Sequence, residues 1–245
     1  MTDAALQETI QHRYPRLLAA GVDYNDAQTA LREITRMDEW KGVWEKLGEA
    51  HEALGDAALA EGRNLSAGEA FQRAALYYHI GQSVYFDDLA EKARIQTRQR
   101  AAYAKGALHL AIPTSIIDIP FEGDSFPANL RVPAGDGPFP CVMLTCGGDS
   151  TKEEFYTLEN EFLKRGIATC AYDGPGQSLT SQKWPLRPDW EVPVGAVMDT
   201  LEVRPEIDGA RIGIWGRSFG GYAAPRASVE PRMKACISIG GFYAM

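Results

Sequence analysis

The sequence lacks an excess of basic residues. It has 25 Lys and Arg against 33 Asp and Glu, which gives a net charge of −8 at pH 7. Nucleic acids and anionic membrane surfaces bind proteins through basic patches, so this balance argues against both classes of partner. A small uncharged molecule is not disfavoured by the charge and is the partner that we expect.

Long apolar runs and paired cysteines are also missing. No stretch approaches the roughly 18 apolar residues of a membrane span. The N-terminal residues MTDAALQETI show no basic region followed by an apolar one, so no signal peptide is predicted. Four cysteines lie in apolar, strand-like segments without a C-x-x-C pair: Cys141, Cys146, Cys170 and Cys236. We predict buried reduced thiols, no metal or other cofactor, and a cytoplasmic location.

The most informative pattern that is present is a serine between glycines. Residues 211–228 read RIGIWGRSFGGYAAPRAS. The apolar run that ends at Trp215 predicts a buried strand, and the small apolar residues after Tyr222 predict a helix. A strand, a G-x-S-x-G sequence and a helix in this order are typical of a nucleophile elbow, which predicts Ser218 as the nucleophile. The alternative is a chance match in a glycine-containing loop, because the pentapeptide alone is weak evidence.

Steric crowding explains the two glycines of this pattern. We expect Gly216 and Gly220 to let the strand and the helix approach each other closely, because neither residue has a Cβ. The strained backbone at the tip of the turn would hold the Ser218 hydroxyl out at the carboxyl end of the sheet.

An oxyanion formed beside this serine needs hydrogen-bond donors. The first amides of the new helix, that of Phe219 first, should point at it. The second donor is predicted to be the amide of Gly148 or Asp149, in the loop that follows an earlier strand. The competing interpretation of that loop is a simple tight turn.

The serine also needs a base and an acid that orients the base. All histidines precede the predicted sheet: His12, His51, His79 and His109. In this architecture the acid and the histidine follow the serine, and Asp149 and Asp173 precede it. We therefore expect the triad acid and histidine to be absent from this chain. The chain would then be the amino-terminal part of a longer protein, and this 245-residue form would be inactive.

The chain is predicted to contain two parts. Residues 1–111 have helical spacing throughout and form an all-helical block, with one helix starting at Ser66 and another at Asp87 or Asp88. Residues 112–245 begin with two strands joined by a turn, and from residue 140 strands and helices alternate. This order predicts an α/β fold whose sheet is largely parallel with antiparallel strands at its N-terminal side.

Four segments together resemble one superfamily. They are CGGDSTKEEF, AYDGPGQS, GIWGRSFGGYAA and CISIGGFY, and their order is similar to that of the α/β-hydrolases. Within that superfamily the chain resembles the branch of 2,6-dihydroxypseudooxynicotine hydrolase and the fungal polyketide-shortening hydrolases, with FrsA-like esterases more distant. The resemblance includes the helical block, so it covers most of the chain.

This resemblance implies an enzyme that hydrolyses a carbon–carbon bond next to a ketone. Ser218 would attack the ketone, and Phe219 with Gly148 or Asp149 would hold the oxyanion. The helical block would serve as a cap or dimerisation block, the protein would be a homodimer, and the acid and histidine would lie beyond Met245. No cofactor is implied.

Two other functions stay open at this point. A carboxylesterase would use the same serine machinery on small esters. A non-catalytic scaffold would use the helical block to bind a partner protein.

Overall fold

The computed structural model describes residues 3–84 and 88–241, so Asp87 and the last two residues of the CISIGGFY segment lie outside the described residues. The chain divides into two compact units, Met1–Ala111 and Ile112–Met245. None of the helices in the described ranges is both long enough and apolar enough to cross a bilayer.

Helices build the first unit. They are α1 (Asp3–Ala20), α2 (Tyr24–Glu33), α3 (Trp40–Ala60), α4 (Asn64–Ser83) and α5 (Leu89–Gly106). Asp88 caps the start of α5, because its carboxylate accepts the N–H of Glu91 at 2.9 Å, as predicted for one of the two aspartates. The predicted start at Ser66 is wrong, because α4 already begins at Asn64. Gly62, with a φ of +73°, reverses the chain directly before it.

Helices α3 and α4 approach closely because α3 carries glycines opposite aromatic rings. A Cβ on Gly48 would lie 2.6 Å from the ring of Tyr78, and one on Gly55 would lie 2.7 Å from the ring of Phe71. The two glycines are seven residues apart in sequence, and so are the two aromatic residues, which is close to two turns of an α-helix. The two glycines therefore form one groove on α3 that receives two rings of α4.

The second unit contains a six-stranded sheet in the order β1-β2-β4-β3-β5-β6. Its strands are β1 (Thr114–Phe121), β2 (Asp124–Arg131), β3 (Phe139–Thr145), β4 (Ala168–Tyr172), β5 (Ile207–Arg217) and β6 (Ala235–Ile239). The pairs β1/β2 and β2/β4 are antiparallel, and β3 to β6 pair in parallel, as predicted. The helices of this unit are α6 (Tyr156–Leu163), α7 (Glu191–Glu202) and α8 (Phe219–Ala227).

Both faces of the central strands are covered. In β3, Cys141 and Met143 pack into one apolar cluster, and Val142 and Leu144 pack into another on the opposite face. A strand buried on both faces needs apolar residues at every position, which explains the uninterrupted run that predicted it.

Strand β6 differs from its neighbours. It pairs with β5 on one side, and Cys236, Ile237 and Ile239 are exposed. The prediction of four buried thiols is therefore wrong for Cys236, although Cys141, Cys146 and Cys170 are buried and all four are free thiols. An apolar sequence identified the strand but not its position in the sheet.

Candidate active site

Ser218 stands at a sharp turn between β5 and α8. Its backbone has φ +58° and ψ −121°, a conformation that residues with a Cβ rarely adopt. The residue is exposed, and its N–H donates to the carbonyl oxygen of Ile239 at 2.9 Å. A strained backbone persists where the surroundings determine it, and the end of β6 supplies part of that restraint.

The glycines on either side are required by their surroundings. A Cβ on Gly216 would lie 1.9 Å from the carbonyl oxygen of Gly220. A Cβ on Gly220 would lie 2.3 Å from the carbonyl oxygen of Thr145 and 2.9 Å from that of Cys146. The strand, the helix start and the end of β3 thus meet at distances that only glycine permits.

The loop after β3 lies against this turn. A Cβ on Gly147 would be 3.4 Å from the carbonyl oxygen of Arg217 and 3.6 Å from the Cβ of Ser218. Gly148 is exposed with open space beside it, and Asp149 is half-buried. The structure therefore brings the loop of Gly148 and Asp149 to Ser218, with Gly147 as the contact residue.

Phe219 is the first residue of α8. The first N–H groups of an α-helix have no acceptor within the helix and carry partial positive charge. The Phe219 ring packs edge-on against Trp190, with 5.6 Å between ring centroids. Trp190 is buried and its Nε1–H donates to Oγ1 of Thr145 at 3.3 Å, so it links the helix start to the end of β3.

A buried charged cluster lies behind the loop. Lys152 donates from Nζ to Oε1 of Glu153 at 2.5 Å and to Oδ2 of Asp173 at 3.0 Å, and all three side chains are at least 98% buried. One ammonium is shared by two carboxylates. Burial, outweighing the attraction of Lys152, raises the pKa of the Asp173 carboxyl.

A second ion pair connects this region to the residue before the serine. Arg217 Nη2 donates to Oε1 of Glu154 at 2.7 Å, and Glu154 is buried while Arg217 is partly exposed. Burial also raises the pKa of the Cys146 thiol well above its ordinary value, and the nearby Asp173 adds to this effect. A thiol with a raised pKa is a weak nucleophile, because the thiolate is the reactive form.

A comparison with protein families decides the classification. A family model described as esterase FrsA-like matches residues 23–244. The chain belongs to the FrsA-like esterase family. The branch predicted from the four sequence segments is confirmed by the relatives described next.

Individual relatives of this FrsA-like chain are longer than it is. It is 38% identical over 231 residues to 2,6-dihydropseudooxynicotine hydrolase of Paenarthrobacter nicotinovorans, covering 93% of this chain and 61% of the relative. It is 36% identical over 238 residues to 20-hydroxy-prefusarin hydrolase FUS2 of Gibberella moniliformis, covering 90% of this chain and 57% of that relative. The chain spans less than two thirds of the length of each of these relatives.

A solved structure shows the same fold. The crystal structure of 2,6-dihydroxy-pseudo-oxynicotine hydrolase matches with a TM-score of 0.86 and 37% identity, over 94% of this chain and 65% of that one. The predicted α/β-hydrolase sheet preceded by a helical block is therefore confirmed.

The histidines of this FrsA-like chain all lie in the helical unit, and residues 112–245 contain none. His51 makes a 2.8 Å contact from Nε2 to Oδ2 of Asp26, and His79 lies 3.1 Å from Nε2 of Gln82 through its Nδ1. Both are bound to partners within the helices.

Sequence reasoning missed three residues around the site: Trp190, Lys152 and Gln177. All three are buried. Trp190 donates to the end of β3 and Gln177 to the loop after it, whereas Lys152 ends that loop and donates to Asp173 after β4. The sequence offered only a weak indication, a lysine and a glutamine inside the segments CGGDSTKEEF and AYDGPGQS. Their burial depends on the sheet order, which places β4 directly beside β3.

Proposed function

We propose that the chain forms the nucleophile-bearing part of a serine hydrolase that cleaves a carbon–carbon bond adjacent to a ketone. The observation that carries the proposal is the exposed Ser218 at φ +58° between β5 and α8. A hydroxyl held out at such a turn is available to an electrophilic carbon. The choice of a carbon–carbon bond follows the sequence resemblance and the relative named a 2,6-dihydropseudooxynicotine hydrolase.

In this proposal the Ser218 Oγ bonds to the ketone carbon and its proton passes to a base. The amides of Phe219 and of Gly148 or Asp149 hold the oxyanion, because they lie at the helix start and on the loop beside the serine. Collapse of the tetrahedral intermediate breaks the carbon–carbon bond. The leaving carbanion, delocalised into an aryl ring or an enolate, takes up a proton, and water then hydrolyses the acyl-serine.

The base is proposed to come from outside residues 112–245, since that range contains no histidine. We expect the 245-residue chain by itself to show no turnover, because a serine without a base is a poor nucleophile. Robust turnover by this chain would contradict this part of the proposal.

A carboxylesterase is the second candidate, and the description of the matching family as esterase-like favours it. The complete protein should be assayed on aryl 1,3-diketones and on p-nitrophenyl esters, each with Ser218→Ala and with Ser181→Ala as a control at an exposed serine. Diketone cleavage that Ser218→Ala abolishes and Ser181→Ala retains is the expected result. Ester turnover without diketone cleavage would favour the esterase.

We also propose a cytoplasmic homodimer that acts on a small molecule and binds neither nucleic acid nor membrane. The net charge of −8 supports the absence of the last two partners. Light scattering of the complete protein at several concentrations would test the dimer, and a monomer throughout would contradict it.

A further inference from the structure

The loop between β3 and the next helical turn is attached at both ends to the turn after β4. At its first residue, the carbonyl oxygen of Cys146 accepts the Nε2–H of Gln177 at 2.7 Å. The Oε1 of the same side chain accepts the N–H of Gly174 at 2.9 Å. Gln177 is buried, so both hydrogen bonds are shielded from water.

The last residue of the loop is held by Asp173. One carboxylate oxygen accepts a hydrogen bond from the backbone N–H of Lys152 at 2.9 Å, and the other accepts one from its Nζ ammonium at 3.0 Å. A carboxylate that holds both the main chain and the side chain of one residue fixes its orientation as well as its position.

Between these two ends, Gly147 and Gly148 have no side chain that could hold the loop in place. Gly148 is exposed and has open space around it, while Gly147 touches the elbow. The loop is therefore held at Cys146 and at Lys152, on either side of Gly147 and Gly148.

Charge burial supports a positioning role. Removing an ammonium and two carboxylates from water is costly, and apolar residues of similar volume fill a core equally well. Apolar packing does not fix angles, whereas hydrogen bonds to a backbone N–H and a carbonyl do. The Glu154–Arg217 pair, at 2.7 Å, attaches the turn after the loop to the residue before Ser218. The end of the loop and the serine are therefore connected by this ion pair.

We infer that Gln177 and Asp173 are positioning residues that set the distance between the amides of residues 147–149 and the Ser218 hydroxyl. This inference rests on the proposed function, in which those amides hold the oxyanion. An oxyanion forms only on the way to the tetrahedral intermediate, so loss of a positioning residue lowers kcat and leaves KM nearly unchanged.

The test uses Gln177→Met, Gln177→Glu and Asp173→Asn in the complete protein. Gln177→Met removes both hydrogen bonds, and Gln177→Glu keeps the acceptor for Gly174 and loses the donor to Cys146. Asp173→Asn removes one of the two carboxylates that face Lys152. Gln182→Met is the matched control, because Gln182 is an exposed glutamine five residues away.

We expect kcat to fall about 10- to 100-fold in the three variants, somewhat less than on deletion of an oxyanion donor, with KM within about twofold. Binding of a boronic acid, which mimics the tetrahedral intermediate, should weaken in parallel with kcat. Hydrogen exchange should show faster exchange for amides 146–152 and unchanged exchange in α7. Gln182→Met should match the wild type in all measurements.

Different results would overturn the positioning role and the proposed function. Wild-type kcat and loop exchange in Gln177→Glu and Asp173→Asn, together with inactivity of Ser218→Ala, would overturn the positioning role alone. Undiminished activity of Ser218→Ala would overturn the proposed function. If Gln177→Met does not fold, the other two variants decide. A rise in KM without a fall in kcat would also contradict the inference.

Discussion

A methyl group added to Gly216 would lie 1.9 Å from the carbonyl oxygen of Gly220. The nearest obstacle is backbone, which cannot rotate away, so the contact must be relieved by moving β5 or α8. Glycine is therefore required at position 216 by the backbone of Gly220, and glycine at position 220 is required by the end of β3.

Gly216→Ala should be strongly destabilising. We expect a loss of about 3 kcal/mol or more in the free energy of unfolding, since overpacking against backbone exceeds the usual cost of extra methylenes. Urea unfolding followed by circular dichroism measures it. Gly148→Ala is the matched control for stability, because a Cβ there meets no atom within 4 Å. Equal stability of the two variants would show that the elbow is less tight than described.

Replacing Ser218 should separate stability from the proposed function. Ser218 has φ +58°, and a residue with a Cβ in so rarely populated a conformation costs about 1 to 3 kcal/mol. Ser218→Gly relieves this cost and Ser218→Ala does not. Glycine itself costs about 0.5 to 1 kcal/mol, because it loses more chain entropy on folding. We expect Ser218→Gly to be the more stable variant by about 1 kcal/mol, with both inactive. A higher urea midpoint for Ser218→Ala than for Ser218→Gly would argue against backbone strain at this position.

How much of this site was predictable depends on the range of the interactions. The elbow is local: strand, glycines, serine and helix follow one another within residues 211–228, so their order in sequence predicts their geometry. The two-part organisation and the mixed sheet follow from the same kind of local periodicity. Periodicity cannot tell a central strand from an edge strand, and so Cys236 was predicted to be buried.

The contacts behind the loop are long-range and left no such pattern. Lys152 and Asp173 are 21 residues apart, and Cys146 and Gln177 are 31 apart. They meet because β4 lies beside β3 in the sheet. A lysine between polar residues is usually exposed, and only its buried carboxylate partners make the burial of Lys152 tolerable.

The cysteines should differ in reactivity within the 245-residue chain. Cys236 is exposed, whereas burial raises the pKa of Cys170 to about 12 and the pKa values of Cys141 and Cys146 well above normal. Because the thiolate is the reactive form, we expect one thiol to react rapidly with Ellman's reagent in the native chain and the rest only after unfolding. Cys236→Ser should remove the rapid phase. A rapid phase that survives this substitution would place a second thiol at the surface.

The buried Glu159 of α6 should make stability depend on pH in an unusual direction. Its Oε2 lies 3.4 Å from Nη1 of Arg131, both side chains are 1% exposed, and burial, outweighing that attraction, raises the pKa of Glu159 from 4.5 to about 7. Between these two values the folded chain holds a proton that the unfolded chain has released, so this carboxyl favours folding at low pH and its contribution is lost as pH rises towards 7.

The Glu159→Gln variant cannot titrate at this position and provides the reference. From the shift to about 7, we expect the wild type to lose about 3 kcal/mol of unfolding free energy relative to Glu159→Gln between pH 4.5 and pH 8. Urea unfolding of both proteins across this range measures the difference and cancels the other titrating groups. Glu161→Gln on the same helix is the control, because the exposed Glu161 has its pKa lowered by Lys164 and should show a small change of opposite sign. A difference between wild type and Glu159→Gln that is flat, or that grows in favour of the wild type as pH rises, would mean that Arg131 keeps Glu159 ionised throughout.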